Sequence, residues 1–466
     1  MDVILVNPIS ERGHLDAYAR LYSQAFLELG YSVTLLAGQD GGTNQYLYRK
    51  NVAERAHFRF VSFAEADGVV MQQVSMTGDR RALPIYRRAL LVWREEGLSG
   101  ILQRLVVVPL RVVFELLPRP VQAELQLRCV AKKTAIIRWL TGNRSKISFQ
   151  THVSRLNVLL SPSQAHDSFV FFLYLDYMSE SRLSVRALDV ECKVPWAGIL
   201  FHPGGLISAF EKFFTASTAR GAAFLVPRAA KRYAGFLPHL AFHCVPDVAD
   251  DELPEETPLL VRQVRERAEG RNVVLLAGSL APHKGVMTFI DIVHIADPSR
   301  FFFVLAGEVH WQQFGAHMRR LKAVWDDPPS NLYCHEGYIS DERDYNALLE
   351  CCDVIYSVYE DFDSSSSNSL TKAAIFRKPV LVSAGTLMGE WVVESRIGDV
   401  APGQNSAAIL SVLERLAESS KDNFNFDAFL SRHSLDALKD SLRPALSDWC
   451  GRPATAEGCR QQELAL

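Results

Sequence analysis

The residues best suited to chemistry are a run of serines that follows an apolar strand and opens a helix. Residues 354–356 form a short apolar run of the kind found in buried parallel strands, and residues 364–367 are four serines. Ser367 or Asn368 would cap the helix, because an oxygen of either side chain can accept a hydrogen bond from an unpaired helix N–H. Such a loop presents free N–H groups and the positive end of a helix dipole, which suits a diphosphate. The alternative is a flexible serine loop with an ordinary cap.

A lysine follows a second apolar strand and belongs to a loop of small residues. The apolar run 273–277 predicts a buried strand, so the residues after it would lie at the carboxyl edge of a sheet. Lys284 stands in that loop, and Gly285 permits close approach of the backbone ahead of a helix that offers its amino end. The pattern predicts that Lys284 contacts a diphosphate; a purely structural lysine is the alternative.

Four motifs in a fixed order resemble the carboxy-terminal half of nucleotide-sugar glycosyltransferases with the GT-B fold, in particular the retaining family 4. Their order and spacing are more specific than any single motif. They lie at residues 273–285, 302–307, 335–340 and 378–380. The opening of the chain is similar to the same family, since residues 30–35 resemble its G-[HY]-x-V-x-[VL] element.

The resemblance implies an α/β protein with the GT-B architecture, in which two Rossmann-like domains face each other across a cleft. The second domain would hold a nucleotide-sugar donor, and the first would hold a saccharide or lipid-linked acceptor. The nucleotide-sugar is a substrate, so no cofactor is expected, and no metal is expected because positive protein groups take its place in many GT-B enzymes. The residues implied for the donor are Gly278, Ser279, Lys284, Tyr338, Ile339, Ser366, Ser367, Asn368, Ser369 and Glu390.

Further candidates lie in the first half of the chain. The resemblance places Gly13 and His14, in the first loop, on the acceptor side; a plain turn is the alternative for the glycine. Asp176 and His202 each follow an apolar run, and ligands of open α/β sheets bind at the carboxyl ends of strands. Both are candidates for catalysis, with a structural role as the alternative. For Glu390, a solvated surface glutamate is the alternative.

The chain departs from the family pattern at three positions. The family usually carries two glutamates, and their positions fall on Ser364 and Lys372, while the usual arginine of the first loop is Ser279. Acidic residues precede the serine run, close to where the first glutamate would stand. Glu360 is therefore the predicted source of a catalytic carboxylate.

Length and composition indicate a globular protein. The 466 residues suffice for two or three domains that each bury a full core. A net charge of −3 gives no reason to expect nucleic acid as a partner. Eight scattered cysteines without a C-x-x-C pair fit a reducing cytosol, and the amino terminus has the pattern of a first strand rather than a signal peptide. No apolar run is long enough to span a membrane, so we expect a cytoplasmic protein.

The predicted domains are residues 1–250 and 259–450, with an acidic linker at 247–258 and a polar tail at 451–466. Within the first domain, residues 80–146 carry 14 Lys or Arg against four Glu and no Asp, interleaved with apolar side chains. A basic helical insertion of this kind favours peripheral contact with an anionic membrane surface. The alternative is that its apolar face packs on its own domain.

The predicted activity is transfer of a sugar, with retention, in glycan or polysaccharide synthesis. One alternative is a non-catalytic GT-B protein that binds a nucleotide or a membrane partner and scaffolds a glycan pathway. The missing glutamates favour this scaffold, whereas Lys284 and the serine loop favour an enzyme. A third possibility is a sugar-nucleotide epimerase with the same fold.

Overall fold

The computed structural model describes most of the chain outside the basic insertion. The described residues are 1–8, 14–66, 147–148, 155–156, 159–160, 167–179, 194–201, 214, 216–360 and 367–451. The predicted insertion at 80–146, and all but Gly451 of the predicted tail, lie outside these residues.

The first half of the chain forms parallel β-structure. Its strands are β1 (Asp2–Asn7), β2 (Ser32–Ala37), β3 (Phe58–Ser62), β4 (Ile147–Ser148), β5 (Ser168–Phe172), β6 (Met178–Ser179), β7 (Trp196–Gly198), β8 (Gly221–Phe224) and β9 (Ala241–Cys244). The main sheet has the order β3-β2-β1-β5-β7, and β8 pairs with β9. Two bridges, Trp196 to Ala219 and Ile199 to Ala223, join β7 to the chain around β8.

Side chains of β1 alternate between two apolar cores because successive residues of a strand point to opposite faces. Val3 and Leu5 belong to one core, and Ile4 and Val6 belong to the other. The sheet is thus buried on both faces, as a parallel sheet requires. The described helices of this half include α1 (His14–Glu28), α2 (Thr43–Arg49) and α3 (Pro227–Phe236).

The second half forms a six-stranded sheet in which every pair of neighbours is parallel. Its strands are β10 (Asn272–Leu280), β11 (Phe301–Val309), β12 (Leu332–Glu336), β13 (Val354–Ser357), β14 (Val380–Ser383) and β15 (Gly398–Ala401). The order is β12-β11-β10-β13-β14-β15. The direction of strand addition therefore reverses between β10 and β13, which makes this pair the topological switch point of the sheet.

Helices cover both faces of the second sheet and close the chain. They are α4 (Leu259–Ala268), α5 (Val286–Ile295), α6 (Met318–Asp326), α7 (Glu342–Cys351), α8 (Asn368–Ile375), α9 (Leu387–Ser395), α10 (Ser406–Glu418), α11 (Phe426–Leu430) and α12 (Leu435–Gly451). None of the helices in the described part of the chain is long and apolar enough to cross a membrane.

The last helix returns to the first half of the chain. Trp449 of α12 is fully buried and stacks on Phe169 of β5, with 6.1 Å between the ring centroids. Its indole N–H donates to the Ala241 carbonyl at 2.9 Å, and Lys439 pairs with Glu28 of α1 at 2.7 Å. The last described helix thus helps to complete the core that contains Val3 and Leu5 of β1.

Candidate functional site

The loops after β10 and β13 meet at the switch point of the second sheet. Both follow the carboxyl ends of neighbouring strands, whose register pairs Val274 with Val354 and Leu275 with Ile355. In open α/β sheets, the crevice at such a point is the usual place for a ligand. The loop after β10 carries Lys284. The four serines of residues 364–367 stand between β13 and α8 in the sequence.

Three successive residues of the first loop contact three successive residues of the second in reverse order. The Glu360 N–H donates to the His283 carbonyl at 2.8 Å. The Lys284 ammonium lies 3.8 Å from the centroid of the Tyr359 ring. Gly285 has a φ of +70° and lies against Val358 of the second loop. A Cβ added to Gly285 would lie 2.2 Å from the Val358 carbonyl oxygen.

The third of these contacts explains why glycine occupies position 285. A side chain there would meet backbone, which cannot swing aside, and the left-handed φ is itself unfavourable for other residues. The glycine therefore fixes the distance between the loops and with it the place of Lys284. The sequence predicted that Gly285 lets the backbone approach a diphosphate closely, and it did not indicate the contact with Val358.

A cluster of hydroxyl groups surrounds Tyr359 beside Lys284. The Tyr359 hydroxyl and the Ser367 Oγ are 3.3 Å apart, and Ser369 donates to Ser367 at 2.9 Å. The Ser369 and Ser357 oxygens are 3.1 Å apart. Ser367 stands at the N-cap position of α8, but its side chain makes no cap hydrogen bond and contributes to this cluster instead.

The environment of Tyr359 changes its acidity. Burial raises the pKa of the phenol, but the neighbouring Lys284 ammonium and hydrogen bonds from Ser367, Ser369 and Ser357 more than offset that effect. The net effect of these influences lowers the pKa of Tyr359 to about 8. The site thus combines one cation, one acidic phenol and three serine hydroxyls at the amino end of a helix, which is a set of groups that can hold an anion.

Other predicted donor residues lie at the end of β10 and on the loop after β12. Gly278 pairs with Gly307 of β11, and an added Cβ on Gly307 would lie 1.8 Å from the Gly278 carbonyl oxygen. The Ser279 Oγ lies 2.7 Å from Nε2 of His310, a neighbour that the sequence did not indicate. Tyr338 is 46% exposed, whereas Ile339 is half-buried against the core.

Two predicted donor residues have side chains engaged elsewhere. The Asn368 amide donates to the Asp247 carboxylate and to the Val248 carbonyl, both at 3.0 Å. Glu390 forms an exposed salt bridge with Arg228 of α3 at 2.9 Å, which joins the two halves of the chain. The roles of both residues toward a donor remain predictions.

The predicted catalytic carboxylates lie in different parts of the molecule. A carboxylate oxygen of Glu360 accepts a hydrogen bond from the Thr288 hydroxyl of α5 at 3.4 Å. The Asp176 carboxylate accepts from the Phe201 N–H at 2.8 Å and so links the ends of β5 and β7. His202, Gly13 and Ser366 lie outside the described residues, and of His14 the structure describes only its place as the first residue of α1.

Lys372, at the position of the family's second glutamate, is buried. Its ammonium pairs with the Glu342 carboxylate and donates to the Asn346 side-chain oxygen, both on α7. Only 2% of the Lys372 side chain and 7% of the Glu342 side chain are exposed. Position 372 therefore serves an ion pair between α7 and α8, and no local pattern in the sequence indicated this partner.

The segment that joins the two halves is held at a buried carboxylate. Asp247 is 2% exposed and accepts a hydrogen bond from the Tyr18 hydroxyl of α1 as well as from Asn368. Its backbone carbonyl accepts from the Thr371 hydroxyl at 3.1 Å, and the His433 ring lies 3.2 Å away. The predicted linker thus begins as an ordered junction between α1, α8 and the chain after α11.

A polar cavity of 530 Å³ opens between the two halves next to this junction. Its wall includes Arg20 and Arg49 from the first half and Arg343 from the second. Each arginine has a carboxylate partner: Asp250 at 2.8 Å, Glu252 at 2.5 Å and Asp341 at 2.8 Å, respectively. Within the described residues, no group of three or more His, Cys, Asp or Glu side chains is arranged to hold a metal ion.

Comparisons with known proteins identify the fold. No protein-family model matches the chain, and no curated protein matches its sequence. A glycosyltransferase from Rickettsia africae is similar at a TM-score of 0.53 and 9% identity, over 96% of this chain and 98% of that one. Sucrose-phosphate synthase from Thermosynechococcus elongatus gives 0.53 and 13%, over 96% and 98%. HepE from Anabaena, solved with UDP and glucose, gives 0.51 and 12%, over 96% and 99%.

These similarities define the class of structure to which the chain belongs. It has the GT-B fold, as the sequence motifs predicted. The fold class, an α/β architecture with two parallel sheets in separate halves of the chain, is confirmed. At such low sequence identity the similarity establishes the fold alone. The activity has to be argued from the residues of the site.

Proposed function

We propose that the protein is a glycosyltransferase that moves a sugar from a nucleotide-sugar donor to a saccharide or lipid-linked acceptor, with retention, in glycan or polysaccharide synthesis. One observation carries the proposal. Lys284 and the hydroxyls of Ser367 and Ser369 meet Tyr359 at the switch point of a GT-B sheet. A leaving diphosphate needs positive charge and hydrogen-bond donors that are already in place, and this cluster supplies both.

The proposed roles follow from these positions. Lys284 and the serine hydroxyls would bind the diphosphate, while Tyr338 and Ile339, on the loop after β12, would contact the base. Glu360 would stabilise the positive charge that develops on the sugar, and Glu390 would contact the sugar itself. Asp176 and His202 stay as proposals for catalysis, and Gly13 and His14 stay as proposals for the acceptor side, because in sequence each comes after a strand of the first half.

The test is turnover of a panel of nucleotide-sugars by the purified full-length protein, with and without saccharide acceptors. UDP-glucose is a suitable first donor, because the similar HepE was solved with UDP and glucose. We expect release of nucleoside diphosphate together with a glycoside that keeps the anomeric configuration of the donor. An epimerised nucleotide-sugar would instead identify an epimerase.

The second candidate is a non-catalytic nucleotide-binding scaffold, favoured by the buried lysine at position 372. A thermal-shift screen separates the two, because a ligand that binds the folded state raises its stability by mass action. Stabilisation by nucleoside diphosphates without turnover of any donor would support the scaffold. Stabilisation with turnover would support the enzyme, and no stabilisation at all would contradict both.

We also propose peripheral contact with an anionic membrane surface through residues 80–146, which is supported by their excess of ten positive charges. The contact would bring the enzyme to a lipid-linked acceptor. The protein should sediment with anionic liposomes, and added salt should weaken the association because it screens charge. Equal sedimentation with neutral liposomes, or none with either, would contradict the proposal.

A further inference from the structure

Tyr359 is placed between the two groups that the proposed function assigns to the diphosphate. Its ring lies beneath the Lys284 ammonium, at 3.8 Å from the centroid, and its hydroxyl lies 3.3 Å from the Ser367 Oγ. A cation over an aromatic face is attracted by the negative charge of that face. One side chain therefore contacts both the cation of one loop and the hydroxyl cluster of the next.

The backbone of Tyr359 is held on both sides. The Ser383 hydroxyl of β14 donates to the Tyr359 carbonyl at 2.6 Å, and the next residue, Glu360, donates its N–H to the His283 carbonyl. Tyr359 as a whole residue is 7% exposed and packs in the apolar core of the second half. The ring is thus a fixed support on which the flexible lysine rests.

We propose that Tyr359 is the positioning residue that sets Lys284 and Ser367 for the donor diphosphate and makes diphosphate binding sensitive to the charge of its phenol. The inference rests on the proposed function, since it assumes that a diphosphate binds at Lys284. Nothing in the sequence resemblance pointed to this tyrosine, which lies before the acidic residues and serines that the motifs emphasise.

The pH dependence has a definite sign. Lys284 from the β10–α5 loop and Tyr345 from α7 are titratable groups that interact with the phenol. Burial and then the nearby Tyr359 raise the pKa of Tyr345, so Tyr345 stays neutral where Tyr359 ionises. Below about pH 8 Tyr359 is neutral and does not offset the charge of Lys284. Above that pH the phenolate neutralises Lys284 and adds a negative charge beside the diphosphate.

The experiment measures the affinity of the full-length protein for nucleoside diphosphates at two pH values. Because the second pKa of a phosphate is about 6, the diphosphate group carries nearly the same charge at about pH 7 and at about pH 9, and the free nucleoside serves as the control for ionisation of the base. If only protein with a neutral Tyr359 phenol binds the ligand, the wild-type affinity should fall about tenfold between these pH values. The reason is that the fraction of molecules with a neutral Tyr359 falls by about that factor.

Two variants of one residue separate the ring from the hydroxyl. Tyr359→Phe keeps the ring under Lys284 but loses the contact with Ser367, so its affinity at neutral pH should fall about fivefold. The affinity of Tyr359→Phe should then stay constant up to about pH 9, because position 359 no longer carries a phenol that can ionise. Tyr359→Leu removes the ring as well and should bind less tightly than Tyr359→Phe at both pH values.

The inference is overturned if Tyr359→Phe keeps the tenfold fall of the wild type, or if the wild type shows no fall while it binds. A wild-type protein that binds no nucleoside diphosphate would instead refute the proposed function together with the role of Tyr359 toward that ligand. A near-ultraviolet absorbance titration tests the pairing without any ligand. The wild type should show a phenol that ionises near pH 8 and that Tyr359→Phe lacks. Absence of that phenol would overturn the proposed pairing.

Discussion

The ammonium of Lys372 pairs with the carboxylate of Glu342 in the interior of the second half of the chain. The two charges come from adjacent helices, α8 and α7, and Asn346 supplies a further acceptor to the ammonium. The GT-B resemblance places a glutamate at position 372, where it would stand beside Glu342. Two buried carboxylates would repel each other, so the lysine at 372 and the glutamate at 342 fit together as a set.

Loss of either charge should destabilise the protein. Lys372→Met leaves the Glu342 carboxylate buried without its cation, and we expect a loss of about 3–5 kcal/mol in the free energy of unfolding. Lys372→Glu should be worse than Lys372→Met, because it adds repulsion. The double variant Lys372→Met with Glu342→Leu should recover much of the loss, since it removes both charges. Urea unfolding of the wild type, these three variants and the single variant Glu342→Leu measures these effects, and additive losses in the double variant would contradict the pairing.

Gly285→Ala should displace the Lys284 loop. The added Cβ meets the Val358 carbonyl oxygen and the backbone φ is left-handed, so we expect a loss of about 1–3 kcal/mol in stability and at least tenfold weaker binding of nucleoside diphosphate. Gly270→Ala is a matched control, because Gly270 has a φ of +81° but no atom within 4 Å of an added Cβ. The control should lose stability only. Equal diphosphate affinity in the two variants would show that the close approach to Val358 does not position Lys284.

The strands that carry this site were predictable from the sequence, whereas its contacts were not. The apolar runs at residues 273–277 and 354–356 lie within β10 and β13, because buried parallel strands leave a continuous local pattern. β10 continues to Leu280, beyond the predicted run. The contact between Lys284 and Tyr359 spans 75 positions of the sequence and leaves no local pattern. The same holds for the pairing of Lys372 with Glu342. Such contacts depend on which strands become neighbours in the sheet, and local sequence patterns do not show this.

Asn368→Ala should loosen the junction between the two halves. The variant removes one hydrogen bond to the buried Asp247 carboxylate and one to the Val248 carbonyl, which should cost about 1–3 kcal/mol. Hydrogen exchange should become faster at residues 247–252, where the chain passes between the halves. The loss of diphosphate affinity should be smaller than for Lys284→Ala. Unchanged exchange in this segment would show that Asn368 does not hold the junction.

Glu360→Gln should lower turnover more than donor affinity. The carboxylate is predicted to stabilise positive charge that develops on the sugar only in the transition state, so its loss should lower kcat and leave KM nearly constant. The hydrogen bond from Thr288 can be kept by the glutamine oxygen, which makes the change conservative for the fold. Steady-state kinetics with the best nucleotide-sugar provide the measurement. A variant with the turnover of the wild type would remove Glu360 from the mechanism.

The most direct test of the account is calorimetric titration of Lys284→Ala with a nucleoside diphosphate and with the free nucleoside. A hydrogen bond to a charged group contributes about 1.5–3 kcal/mol, so diphosphate affinity should fall about ten- to a hundredfold. Nucleoside affinity should fall much less, and Ser367→Ala should cost less than Lys284→Ala because Ser369 and the backbone N–H groups remain. Lys322→Ala, on the exposed surface of α6, serves as the control. If folded Lys284→Ala binds the diphosphate as tightly as the wild type, the donor site does not lie at the switch point between β10 and β13.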